Sequence, residues 1–218
     1  MRVIKLGETP SLLRQYAAEM RDKQVQQDAM RFRMNAVRMG EIMAYEVSKT
    51  LPFVEKRIDT PLGSARVSTL ADRPVIGSVL RAGLPMHQGF LNFFDRADSA
   101  FVSAFRKSDR SRKIEVDLAY AASPDLSGRD VLLVDPMLAT GQSLLHVHGA
   151  LAAHGTPRSL HIAVIIASEK GVDTLAKHFK DSGGVTLWAV AVDPELNADN
   201  YIVPGLGDAG DLAFGKRA

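Results

Sequence analysis

Cysteine is absent from the 218-residue chain, which removes disulfides, thiolate zinc sites and cysteine nucleophiles together. Long apolar runs are missing as well. Runs such as 131–134 and 162–167 fall far below the roughly 18 residues of a membrane-spanning helix. Residues 1–10 lack the continuous apolar stretch of a secretory signal. A cysteine-free chain with neither signal nor span is expected in the cytoplasm. No charge of either sign dominates, since 27 Lys and Arg against 25 Asp and Glu leave +2. So small a balance gives no support to nucleic-acid or membrane binding, and neither partner is expected. H-E-x-x-H and G-x-S-x-G do not occur, so zincin and serine-hydrolase chemistry lack support. The six histidines make no ligand set: His146 and His148, two apart on a helix, point about 200° apart.

What is present reads as one globular unit. Hydrophobic residues make up 46% and charged residues 24%, ordinary values for a chain able to bury a substantial core. No repeat or linker divides it, and a single domain over 1–218 is expected. The N-terminal quarter reads helical. One helix follows Thr9-Pro10-Ser11, and a longer one covers about 24–48, with Met30, Met34, Val37, Glu41 and Ala44 at three- and four-residue steps. Met34, Val37, Ile42, Met43 and Val47 spread beyond one stripe, which predicts packing on two faces and self-association. Thr60-Pro61-Leu62-Gly63 predicts a hairpin turn. Strands at 75–80, 100–105, 131–134, 159–167 and 185–192 then alternate with helices at 86–94, about 144–154 and 171–180. That alternation is the grammar of a doubly wound α/β sheet. Ligands of such sheets bind beyond the carboxyl ends of the strands, so the residues after Leu80 and Val134 are the first candidates.

Four segments there could carry chemistry. In V-L-L-V-D-P-M-L-A-T-G-Q-S, a buried strand delivers Asp135 to the sheet edge, and Thr140, Gly141 and Ser143 open a helix. Free N–H groups, a glycine and two hydroxyls make a phosphate cradle, and the carboxylate suits sugar hydroxyls. A plain capped strand–turn–helix would show the same pattern, and the Gly-Lys-Ser/Thr of a P-loop is absent. The run from Tyr201 to Asp211 matches G-x-G-x-x-G at Gly205, Gly207 and Gly210. Only eight residues follow Gly210, too few for the helix and second strand of a dinucleotide fold. Exposed backbone in this loop suits the edge of a flat polar base, though a loose tail has the same composition. Arg81 ends the strand at 75–80, where a surface ion pair is its blander role. Arg106–Lys113 carries five basic residues and one acid.

Taken in order, these segments resemble the type I phosphoribosyltransferases, and D-P-M-L-A-T-G is the wording of their uracil branch. The resemblance implies a mostly parallel doubly wound α/β sheet with a helical arm (1–50), a flap hairpin (about 106–123) and a uracil-binding loop (201–211). It implies the reaction uracil + phosphoribosyl pyrophosphate (PRPP) → UMP + diphosphate, in pyrimidine salvage, with Mg²⁺ carried by PRPP and no metal ligand on the protein. PRPP would be held by Arg81, Arg106, Asp135, Pro136, Met137, Leu138, Ala139, Thr140, Gly141, Gln142, Ser143 and Asp208. Uracil would meet Ile202, Gly207, Asp208 and Ala209, with Asp135, Arg81 and Arg106 as the catalytic residues. The family also implies a cis peptide in the Arg81 loop and a homo-oligomer. Arg110, Arg112 and Lys113 are read as solvated. Asp135-Pro136 stands where most relatives carry two acids, and Gln142 where a second glycine is common. An RNA-binding pyrimidine regulator on this fold would need a basic face and the two-acid signature, neither of which is clear here. A silent interaction domain is disfavoured by the intact motifs.

Overall fold

A computed structural model describes residues 1–108 and 114–216, with side chains for all of these except 104–108 and 114–119. The chain opens with β1 (Arg2–Lys5), α1 (Leu12–Arg21) and α2 (Ala29–Ser48), then the strands β2 (Phe53–Thr60) and β3 (Gly63–Leu70). There follow β4 (Val75–Leu80), α3 (Leu84–Phe93), β5 (Asp98–Ser108), β6 (Ile114–Ala122), β7 (Asp130–Val134), β8 (Met137–Leu138) and α4 (Gln142–Ala152). The last part holds β9 (Ser159–Ser168), α5 (Glu169–His178), β10 (Val185–Asp193), β11 (Glu195–Leu196), β12 (Ile202–Val203) and α6 (Ala209–Phe214).

β7 has no polar alternation because both of its faces are covered. Val131 and Leu133 pack with Leu144, Val147 and Leu151 of α4 and Leu175 of α5. Leu132 and Val134 point the other way, into a cluster with Met39 of α2 and Met86 and Phe90 of α3. The sheet runs β1-β10-β9-β7-β4-β5-β6, parallel throughout except for β6, which is antiparallel to β5. From β4 the chain crosses to β5 over one face, and from β7 to β9 over the other. The crossovers diverge between β4 and β7, and a crevice opens there at the carboxyl ends.

The helical arm differs from its predicted outline. Asp22 accepts the N–H groups of Gln24 (2.8 Å) and Val25 (3.2 Å), a turn that breaks the helix expected from residue 24. α2 starts only where Asp28 caps it, accepting the Arg31 N–H at 3.0 Å. Its second apolar side is largely used inside the molecule. Gly40 lies so close to α3 that a Cβ would sit 2.6 Å from the Met86 carbonyl. Left uncovered are Met30, Met34 and Tyr45. A larger apolar surface lies on the β2–β3 hairpin, where Phe53, Val54, Ile58 and Leu62 are all exposed.

Candidate active site

Three segments meet over the crevice. Arg81 directly follows β4, and the Leu80–Arg81 peptide is cis, as the resemblance implied. β7 ends in Asp135, whose N–H is fixed by the Ala163 carbonyl at 3.2 Å. The loop that follows is tied down as β8, pairing Met137 and Leu138 with Ile166 and Ala167 of β9. Gly141 then turns the chain into α4 with φ of 83°, a left-handed conformation that glycine adopts without penalty. The first N–H groups of α4 have no partners within the helix and, with the positive end of its dipole, can receive an anion.

The third segment comes from the far end of the chain. β11 and β12 pair as a small antiparallel ribbon, the Val203–Pro204 peptide is cis, and α6 begins at Ala209. Asp208 caps α6 by accepting the Asp211 N–H at 2.9 Å. The stretch expected as a base-binding loop over 201–211 therefore ends in a short helix, packed through Ala209 and Ala213 into the core. Arg81 reaches across to this helix, donating from Nη2 to Asp211 Oδ1 (3.0 Å) and the Gly215 carbonyl (3.2 Å). Its Nε is buried with no hydrogen-bond partner among the described residues.

Together they enclose a cavity of about 480 Å³. Of the residues proposed from the sequence, Arg81, Asp135, Met137, Leu138, Ala139, Thr140, Gly141, Ser143, Asp208 and Ala209 line it. Pro136, Gln142, Ile202 and Gly207 do not. Pro136 spends its carbonyl on the Ile165 and Ile166 N–H groups. Gln142 lies in the first turn of α4. Ile202, 4% exposed, sends its side chain into the core, so only its backbone can serve a ligand. Arg106 lies on β5, with its side chain outside the described residues, as do residues 109–113 of the basic run altogether. Sequence reasoning missed Asn200 and Lys216 and gave no contact to Tyr201 or Asp211, the two ends of the 201–211 loop, and all four also line the cavity. Asn200 carries a signal of sorts, since Asn tolerates the left-handed φ of 61° that it adopts there.

Asp135 is electrostatically distinct. Burial pushes its carboxyl from 3.8 up to about 7, opposed by one hydrogen bond from the Met137 N–H at 3.3 Å. The arrangement joins an anion-binding helix start, an arginine, a partly desolvated carboxylate and a backbone-rich loop around one space.

A sequence profile of the family described as Uracil phosphoribosyltransferase matches residues 8–216. The chain belongs to the uracil phosphoribosyltransferase family. Uracil phosphoribosyltransferase of Porphyromonas gingivalis is 46% identical over 217 residues, covering 100% of both chains. That of Methanothermobacter thermautotrophicus is 37% identical over 191 residues, covering 87% of this chain and 86% of its own. The solved structure of the AQ2163 protein from Aquifex aeolicus superposes with a TM-score of 0.86 at 29% identity, covering 98% of each chain. The phosphoribosyltransferase fold expected from the motifs is thus the family's fold, carried here from end to end.

Proposed function

We propose that the chain transfers the 5-phosphoribosyl group of PRPP to N1 of uracil, forming UMP and releasing diphosphate. The observation that carries this reading is the meeting of Arg81, Asp135, the α4 N-terminus and the Asn200–Asp211 segment on one cavity. The α4 amides and the Thr140 and Ser143 hydroxyls take the 5′-phosphate. Asp135 orients the ribose hydroxyls. Arg81 and Arg106 neutralise the departing diphosphate. The C1–oxygen bond breaks as positive charge builds on the ribose, the N1–C1 bond forms, and the N1 proton passes to the departing diphosphate or to water. Catalysis rests on holding the two substrates in line and on fixed charge at the leaving group.

Mg²⁺ is part of the PRPP substrate in this reading. The donor set suits that role: Asp135 and Asp208 both face the cavity, while no three His, Asp or Glu side chains converge on a resident ion among the described residues. Self-association belongs to the same proposal, supported by the exposed apolar hairpin.

The test is UMP formation from labelled uracil, with and without PRPP, in competition with cytosine. Backbone donors and acceptors between Ile202 and Ala209 have fixed polarity and cannot serve both the O4/N3 pattern of uracil and the reversed pattern of cytosine. The expected result is PRPP-dependent UMP and a preference for uracil of about 10⁴ in kcat/KM. No UMP, or equal use of the two bases, refutes the assignment.

A further inference from the structure

We propose that Arg21, in the N-terminal arm, is a positioning residue for base recognition, acting through Asp193 and Gly205. The inference rests on the reading of the 201–211 segment as the uracil-binding loop. Arg21 is the last residue of α1, and its guanidinium forks onto Asp193 at the end of β10, with Nη1–Oδ2 at 2.7 Å and Nη2–Oδ1 at 2.8 Å. The same two groups grip one residue of the loop. Arg21 Nη1 donates to the Gly205 carbonyl at 3.0 Å, and Asp193 Oδ2 accepts the Gly205 N–H at 2.9 Å. Gly205 needs such a grip. Its φ is 56°, and a Cβ there would collide with the Ile202 carbonyl, so it marks a sharp bend just before the groups that face uracil. Among the described residues, no other hydrogen bond reaches the backbone of 204–207.

The arm holds the segment at its other end too. Arg33 of α2 donates from Nη1 to the Ala213 carbonyl at 2.7 Å, in the last turn of α6. The two arginines thus bracket Gly207, Asp208 and Ala209. Neither of them lines the cavity. Asp193 is only 6% exposed, and a buried carboxylate left without its cation would have to find new partners or water, moving the loop with it. A planar bidentate fork fixes both position and angle, which an ammonium cannot do. The rest of the site is built without this pair: the phosphate cradle is held by β8, β9 and α4. A loop displaced by a few tenths of an ångström would therefore misplace uracil while leaving PRPP in place.

The experiment compares Arg21→Met and Arg21→Lys with the wild-type enzyme, measuring KM for each substrate, kcat and amide exchange. Arg21→Met should raise KM for uracil about tenfold or more and leave KM for PRPP within about twofold. Exchange of the Gly205 and Asp211 amides, bonded to Asp193 and Asp208, should speed up while that of β7 and β9 stays slow, a local effect that general destabilisation would not produce. Arg21→Lys should fall between, and it carries the same test if Arg21→Met does not fold. Arg158→Gln, which breaks an ion pair with Asp130 at the opposite ends of the strands, should change neither KM. An unaltered uracil KM in both Arg21 variants, or equal rises for both substrates, overturns the positioning role. Gly207→Val, which places a branched side chain at a φ of 91°, separates the two levels of the argument. If Gly207→Val leaves the uracil KM unaltered, the loop assignment fails. If it raises that KM while the Arg21 variants do not, only the role of Arg21 fails.

Discussion

At Asp135, burial beyond the end of β7 pushes the carboxyl up to about 7, against the pull of the Met137 N–H. The folded chain therefore binds this proton more tightly than the unfolded chain, whose carboxyl titrates near 3.8. The stability this contributes is complete below about pH 3.8 and is lost as pH rises to about 7. Asp135→Asn keeps the shape and an acceptor for Met137 but never ionises. Its melting temperature should equal that of wild type at pH 4 and exceed it at pH 8, by about 2–4 °C for each kcal/mol relieved. Activity should move the other way, with turnover at pH 8 falling by about 10² or more. Wild-type kcat/KM for PRPP should decline as pH drops through about 7. Near-native turnover in a folded Asp135→Asn protein would rule out the ribose role. For Arg106, a charge-assisted contact to diphosphate is worth about 1.5–3 kcal/mol. Arg106→Ala should thus raise the KM for PRPP about 10- to 100-fold and leave that for uracil alone, while Arg110→Ala changes neither. Equal effects would misplace the flap. Ile202→Ala is a poor probe of uracil, because emptying a core position costs about 2–5 kcal/mol before any base is bound.

Among the elements, α5 is a prop for the loop proposed to cradle phosphate. Ser168, fully buried, donates its hydroxyl to the Ala139 carbonyl at 2.6 Å and accepts the Gly171 N–H at 2.9 Å. One side chain thus caps α5 and pins the loop that begins the cradle. Ser168→Ala should cost about 1 kcal/mol of stability and raise the KM for PRPP with little change for uracil, as initial-rate kinetics would show. Gly171→Ala should be harsher, since its Cβ would stand 2.5 Å from the Ala139 carbonyl. The sheet was legible in the sequence because buried parallel strands read as unbroken apolar runs, and Val131–Val134 could be little else. Asp135 and the cradle were legible for the same reason, since loop chemistry directly after such a strand must lie at the sheet edge. The props were not. Ser168 looks like any cap, and the partners of Arg21 and Arg81 lie 172 and 130 residues away, a separation that no local pattern records. The break at residues 24–28 was hidden because Gln24, Val25, Gln26 and Gln27 are compatible with a helix, while the Asp22 and Asp28 side chains decide the backbone.

For the molecule as a whole, the β2–β3 hairpin pairs only with itself among the described residues, and a two-stranded hairpin alone is marginal in water. Its exposed Phe53, Val54, Ile58 and Leu62 call for cover by a second copy. Sedimentation at micromolar concentration should find a dimer or larger, and Ile58→Asp with Leu62→Asp should shift it toward monomer without unfolding the sheet. A wild-type monomer would refute this. The bond between Arg21 and Gly205 spans 184 residues of chain, and this has a consequence in time. Contacts between distant residues form late, because the intervening chain must first be ordered. During refolding from urea, far-UV circular dichroism should recover before uracil-dependent turnover does. On the ribosome the order is stricter, since 201–211 emerge after nearly all of the sheet has been made. Under the proposed assignments, a newborn chain therefore owns a place for phosphate before it can tell one base from another.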